Sequence, residues 1–179
     1  PYLITVKPLP VASSSPSFQS LCSGTAFNTI NFSSNMTLTT YAWNATKVGT
    51  AISGHVVSGS TANIPGVVLT NSGIVNDSII YTVVPTRSLC VGVAIRDTII
   101  VKPLPVAVTP SAQSLCSNGN TNAVNLQSNI VGTNFSWSTT GNALLSGYTS
   151  NINGNSAVIP SMTLINNGTN TQNLVYTVT

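Results

Sequence analysis

The heptapeptide Val6-Lys7-Pro8-Leu9-Pro10-Val11-Ala12 recurs letter for letter as Val101-Lys102-Pro103-Leu104-Pro105-Val106-Ala107, 101 − 6 = 95 positions later. Two prolines around one leucine hold the backbone near polyproline II and remove two amide donors, so neither a helix interior nor a central strand runs through the segment. It reads as a stiff joint, with Pro8, Pro10, Pro103 and Pro105 as its linker residues. A stiff joint met twice in one chain implies units placed in series.

With the joint as a ruler, the two halves align almost throughout. Gln19-Ser-Leu-Cys22-Ser matches Gln113-Ser-Leu-Cys116-Ser, Tyr41-Ala-Trp43 matches Phe135-Ser-Trp137, and Tyr81-Thr82-Val83 matches Tyr176-Thr177-Val178. Ile64-Pro65 with Leu69 and Asn71 matches Ile159-Pro160 with Leu164 and Asn166. A period this long describes tandem domains, each with its own core, rather than a solenoid of small repeats.

Within a copy the pattern is that of strands. Ser78 to Val84 and Val93 to Val101 are β-branched runs flanking a turn-like Pro85 to Gly92 segment, which reads as a hairpin. Shorter runs near Thr25 to Phe32, Thr37 to Trp43 and Asn63 to Leu69 are separated by Gly, Ser and Asn at the spacing of a sandwich. The expected fold is therefore all-β, as tandem immunoglobulin-like β-sandwich domains joined by Pro-rich linkers. The expected domains are residues 7–101 and 102–179. Residues 1–6 align with the run that precedes the second joint and are expected to be the last strand of a preceding repeat. The second repeat is expected to lack its final strand, as in a window on a longer chain. Donation of strand 1–6 to another copy is the sharper reading of the same alignment.

Charged residues make up only 4% of the chain, against about a quarter in an ordinary soluble protein. The net charge of +3 comes from Lys7, Lys47, Arg87, Arg96 and Lys102 set singly along the chain against Asp77 and Asp97. No basic patch with aromatic or helical readers exists, which argues against nucleic acid as a partner. No apolar run has transmembrane length. Hydrophobic residues at 42% supply real cores.

Three cysteines are an odd number, and the repeat accounts for it. Cys22 and Cys90 lie in one copy, whereas the partner of Cys116 would fall at 90 + 95 = 185, outside the sequence, leaving Cys116 unpaired. A Cys22–Cys90 disulfide is expected, which a chain-entropy estimate values at roughly 4 kcal/mol and which belongs to an oxidising compartment. The alternative is a pair of buried free cysteines, distinguished by the separation of the sulfurs.

Reactive chemistry has almost nothing to work with. His55 is the only histidine and has no counterpart in the other copy; glutamate is absent; the two aspartates stand apart. Neither a triad, nor paired carboxylates, nor an oxygen cage for calcium is supported. The expectation is no catalytic residue, no metal site and no cofactor. Trp43, Trp137, Tyr81 and Tyr176 recur at matched strand positions, which favours core packing over a sugar-stacking face.

Asp77-Ser78-Ile79 and Asp97-Thr98-Ile99 resemble the acceptor at which Bacteroidota O-glycosylate exported proteins, which makes Ser78 and Thr98 candidate glycosylation sites. The order of V-K-P-L-P-V-A, Q-S-L-C-S, aromatic-x-Trp, Leu-x-Asn, Y-T-V and Cys-x-Gly resembles the PKD-like, immunoglobulin-like repeats of giant Bacteroidota surface proteins. The resemblance implies export by type IX secretion and a place at the cell surface, in adhesins or gliding-associated fibres. The expected role is a structural repeat acting as a rigid extracellular spacer. A carbohydrate-binding or other recognition module attached to a larger secreted protein is the alternative. Expected partners are neighbouring repeats, other copies in a fibre and surface glycans.

Overall fold

The computed structural model describes residues 1–148 and 156–179. The chain forms two compact units, Pro1–Leu104 and Pro105–Thr179, divided inside the Lys-Pro-Leu-Pro joint. Both are built of strands.

In the first unit the strands are β1 (Ala12–Ser15), β2 (Phe18–Cys22), β3 (Thr25–Ala26), β4 (Ile30–Ser34), β5 (Thr40–Lys47) and β6 (Ile52–Ser53). They continue as β7 (Ser58–Gly59), β8 (Asn63–Ile64), β9 (Val68–Asn71), β10 (Asp77–Arg87), β11 (Cys90–Val91) and β12 (Ile95–Lys102). A six-stranded sheet in the order β2-β12-β10-β5-β7, with β11 on the end of β10, forms one layer, and the three-stranded sheets β1-β4-β8 and β3-β9-β6 form the other.

Alternation decides which face of each strand is buried. Along β10 the odd positions Asp77, Ile79, Tyr81, Val83 and Pro85 point inward, and along β12 so do Asp97, Ile99 and Val101. Of these, Ile79, Tyr81, Val83, Ile99 and Val101 join Ile30, Phe32, Ile64 and Leu69 of the facing sheets in a single core with Trp43. Each fully buried large aliphatic side chain contributes about 1.5–3 kcal/mol of transfer free energy. The immunoglobulin-like sandwich expected from the β-branched runs and their spacing is the fold observed.

The second unit contains β13 (Ala107–Val108), β14 (Gly119–Asn120), β15 (Val124–Asn125), β16 (Gln127–Ser128) and β17 (Trp137–Thr140). After them come β18 (Leu145–Ser146), β19 (Val158–Ile159), β20 (Thr163–Asn166) and β21 (Val175–Val178). Each of its pairings repeats one of the first unit in the same register. Trp137 faces Val178 as Trp43 faces Val83, Val124 faces Ile159 as Ile30 faces Ile64, and Leu145 faces Asn166 as Ile52 faces Asn71. Leu126, Phe135, Trp137 and Ile159 form its core. Even a backbone singularity is repeated. Gly54 and Gly147 both have positive φ, and a Cβ at either would lie 2.4 or 2.0 Å from the carbonyl oxygen of Val68 or Thr163, which are matched residues. Only glycine fits both the conformation and the approach.

Residues 1–6 form no strand with the two units described, and Tyr2, Leu3, Ile4 and Val6 are exposed; the matching place in the first unit is filled by β12. One expectation is corrected here: Pro10 is not a free linker residue. It is fully buried in the first unit, where its carbonyl lies so close to Gly92 that a Cβ there would come within 2.0 Å. Pro8 and Pro105 are exposed and Pro103 is half-buried.

Candidate functional site

The disulfide expected between Cys22 and Cys90 is absent, and all three cysteines are free. The cause is the pairing of β2, which runs parallel to β12 and sets Cys22 beside Lys102. That end of the sheet carries Asp77, opposite Val101, whereas Cys90 sits beside Arg87 at the other end of β10. The eleven residues of β10 separate the two levels, roughly 33 Å at about 3.3 Å per residue, where a disulfide needs Cα atoms within about 7 Å. The cysteines are not buried either: Cys22 and Cys116 are exposed and Cys90 is half-exposed. Intact mass measured without reductant is expected to show three thiols, each alkylated once in the native protein. A species lighter by two protons, with two sites blocked, would contradict this placement.

The recurring aromatic residues do not form a binding face. Trp43 meets Tyr81 edge-on at 5.8 Å and 75°, and Trp137 meets Tyr176 at 5.7 Å and 66°. Trp43, Trp137 and Tyr81 are buried, so no row of rings is presented to a sugar. Burial pushes the Tyr81 hydroxyl up to about 12, against a smaller opposing pull from the backbone of Val56.

The two aspartates serve the fold. Asp77 Oδ1 accepts the amides of Gly49 at 2.8 Å and Ser78 at 2.6 Å, and Oδ2 accepts that of Ala51 at 3.1 Å. This carboxylate lines a shallow cavity of about 330 Å³ between Val48–Ala51 and Val75–Ser78, yet both of its oxygens are already engaged. Asp97 is fully buried on β12, where Oδ1 accepts the hydroxyl of Ser14 from the facing sheet and Oδ2 has no partner. Desolvation raises its pKa above the ordinary carboxyl value, and the Ser14 bond opposes the rise. His55 is half-buried between β6 and β7. Among the described residues no three His, Cys, Asp or Glu side chains gather where a metal could bind.

Other recurring polar residues are backbone clamps, a role missed by the sequence reading although both partners recur in each copy. Gln19 closes a loop by donating to the carbonyl of Asn28 at 2.9 Å and accepting its amide at 2.7 Å; Gln113 does the same with Asn122 at 3.0 and 2.7 Å. Asn71 donates to the carbonyl of Val75 and accepts the amide of Gly73, as Asn166 does with Asn170 and Gly168. The joint itself is clamped. Asn35 accepts the amide of Val11 at 2.8 Å, and Asn129 that of Val106 at 2.7 Å. Upstream, the carbonyl of Lys102 accepts the Ser23 amide at 2.7 Å, and that of Val101 accepts from Asn71 at 2.8 Å. Only Pro103, Leu104 and Pro105 lie between the last anchored residue of the first unit and the first of the second.

Ser78 and Thr98 occupy outward positions on β10 and β12, and both are half-buried. No helix among the described residues is long and apolar enough to cross a membrane. A family model described as a PKD-like domain matches residues 19–105 and, a second time, residues 113–179. No curated protein matches the chain.

Proposed function

Because the chain belongs to the PKD-like domain family, with a match in each of its units, we propose that it is a stretch of an extracellular spacer whose product is distance and stiffness. One observation carries the reading. Three residues separate the anchored ends of the joint, and two of them are prolines. A proline fixes its own φ and restricts the residue before it, so Leu104 has little freedom left. The matched polar side chains support the same role, since they close loops in both copies instead of converging on a ligand.

Such repeats would stand in series at a cell surface, within a giant adhesin or gliding-type fibre of the kind that type IX secretion exports. The resemblance of the repeat motifs supports that setting. Ser78 and Thr98 would carry O-glycans there, supplying the hydration that a nearly uncharged surface lacks.

Cys22 and Cys116 are exposed and lie one in each unit, so they accept spin labels once Cys90 is replaced by serine. A single narrow distance distribution is expected between them, with marked broadening in the Pro103→Gly/Pro105→Gly variant. An equally broad distribution in both proteins would sink the spacer reading.

A further inference from the structure

The first unit carries an unguarded sheet edge along β2, and we propose that this edge pairs with the same strand of a second copy of the chain across a twofold axis at Ser20. β2 is a terminal strand of the six-stranded sheet and, at five residues, the longest terminal strand of the unit. Its bonds to β12 fix which main-chain groups are already used. The Ser17 carbonyl accepts the Thr98 amide at 3.0 Å, and the Ser23 amide donates to the Lys102 carbonyl at 2.7 Å. Alternate residues of a ladder turn to the same neighbour. Ser17, Gln19, Leu21 and Ser23 therefore face β12, while Phe18, Ser20 and Cys22 turn their amides and carbonyls to the open side. The Cys22 carbonyl there accepts the Thr25 hydroxyl at 2.6 Å and keeps a second lone pair.

Edges that stay single are blunted by charge, by proline or by a bulge. β2 holds none of the three: it reads Phe-Gln-Ser-Leu-Cys, and its residues pair one to one with Thr98 to Lys102. Phe18 stands 59% exposed on it, whereas the other three phenylalanines, Phe27, Phe32 and Phe135, are buried. A strand added at this edge covers that ring and recovers its hydrophobic free energy.

The occupant is a second copy because β2 fits itself. Two copies turned antiparallel about Ser20 set Phe18 opposite Cys22, Ser20 opposite Ser20 and Cys22 opposite Phe18. These are the residues whose main-chain groups face the open side, so each facing pair exchanges both of its bonds. An axis at Gln19 or Leu21 would instead bring in Pro16, which has no N–H, or Gly24, whose φ of +83° lies outside the strand region. The side chains agree with the main chain. Phe18 of each copy lies over Cys22 of the other, a sulfur–ring contact. Lys102, the register partner of Cys22, stands two strand spacings from that ring, about 10 Å between Cα atoms, and its ammonium reaches the ring face. No like charges are forced together: the two Lys102 Cα atoms lie roughly 20 Å apart, beyond the screening length of about 8 Å at physiological salt. A twofold pair uses both edges, so association through β2 stops at the dimer. This inference does not rest on the spacer reading: a flexible joint would end that reading and leave the edge of the first unit as it is.

In sedimentation equilibrium under reductant, the weight-average mass of the 179-residue chain is expected to rise with concentration to twice the monomer value and no further. Ser20→Pro removes an amide that points away from β12, so the ladder inside the unit survives. That variant is expected to stay monomeric and to keep the thermal transition of its first unit. Ser20→Lys and Ser20→Glu, at a position exposed in the monomer, each set two like charges about 5.5 Å apart across the axis. Each is expected to be a monomer alone, and the two mixed in equal amounts are expected to form a heterodimer. Should Ser20→Pro unfold the unit, the charged pair carries the test by itself. A wild-type monomer at every concentration, a mass beyond twice the monomer, dimers that survive Ser20→Lys, or a Lys/Glu mixture that stays monomeric would overturn the proposal.

Discussion

Tyr81→Ala is expected to destabilise the first unit by about 3–5 kcal/mol, the range for deleting a large buried aromatic side chain. Tyr81 is 0% exposed, and its ring lies 6.2 Å from that of Phe27 and 5.8 Å from that of Trp43. β5 and β12 flank its strand on either side, so the cavity has no mobile wall to collapse. The matched change Tyr176→Ala is expected to cost the second unit less than half as much, because that ring keeps its Trp137 contact but is covered on one side only. Each unit holds one tryptophan beside the tyrosine in question, so denaturant unfolding followed by fluorescence in Trp43→Phe and Trp137→Phe backgrounds reports the two units separately. Equal losses would contradict the uneven burial of the two rings.

The second large effect is expected at Asp97, where Asp97→Asn should remove a pH dependence and stabilise the first unit by about 1–3 kcal/mol at pH 8. A fully buried carboxyl with one donor, Ser14, is easier to hold neutral than charged. Its folded pKa is raised by desolvation above the unfolded value of 3.8. In the window between those two values the folded state binds more protons than the unfolded state, so stability is full below pH 3.8 and falls as pH rises through the folded pKa. The asparagine keeps an acceptor for Ser14 and carries no charge. Chemical denaturation at pH 4 and pH 8 is the measurement: the two proteins should differ little at the lower pH and most at the higher. A wild-type protein that gains stability over this interval relative to Asp97→Asn would show that the carboxylate is favourably held, contrary to the geometry.

Much of the architecture was legible in residue order. The duplicated joint and the matched motifs pointed to two units, and the β-branched runs at Ser78–Val84 and Val93–Val101 to the antiparallel pair β10 and β12. Core roles for Trp43, Trp137 and Tyr81 followed from their recurrence at strand positions. The cysteines were misread because spacing along the chain carries no information on which end of a sheet a strand enters. β2 pairs with Thr98–Lys102, and even turned end for end in that place it would set Cys22 beside Thr98, opposite Ile80 and seven residues short of Arg87, the partner of Cys90. The Gln and Asn clamps were visible as recurrences but not as bonds, since a side-chain amide that closes a loop looks in sequence like any other polar residue of a turn.

By itself the sequence determined the local terms, proline stiffness at the joint and β-branched strand runs, because each depends on a residue and its immediate neighbours. Tertiary structure alone decided what required knowing the partner of each edge. It separated the cysteines and buried Pro10 and Asp97. The reason is that hydrogen-bonded pairing brings together residues far apart in the chain, and the direction and register of that pairing are set by the whole core rather than by any one segment.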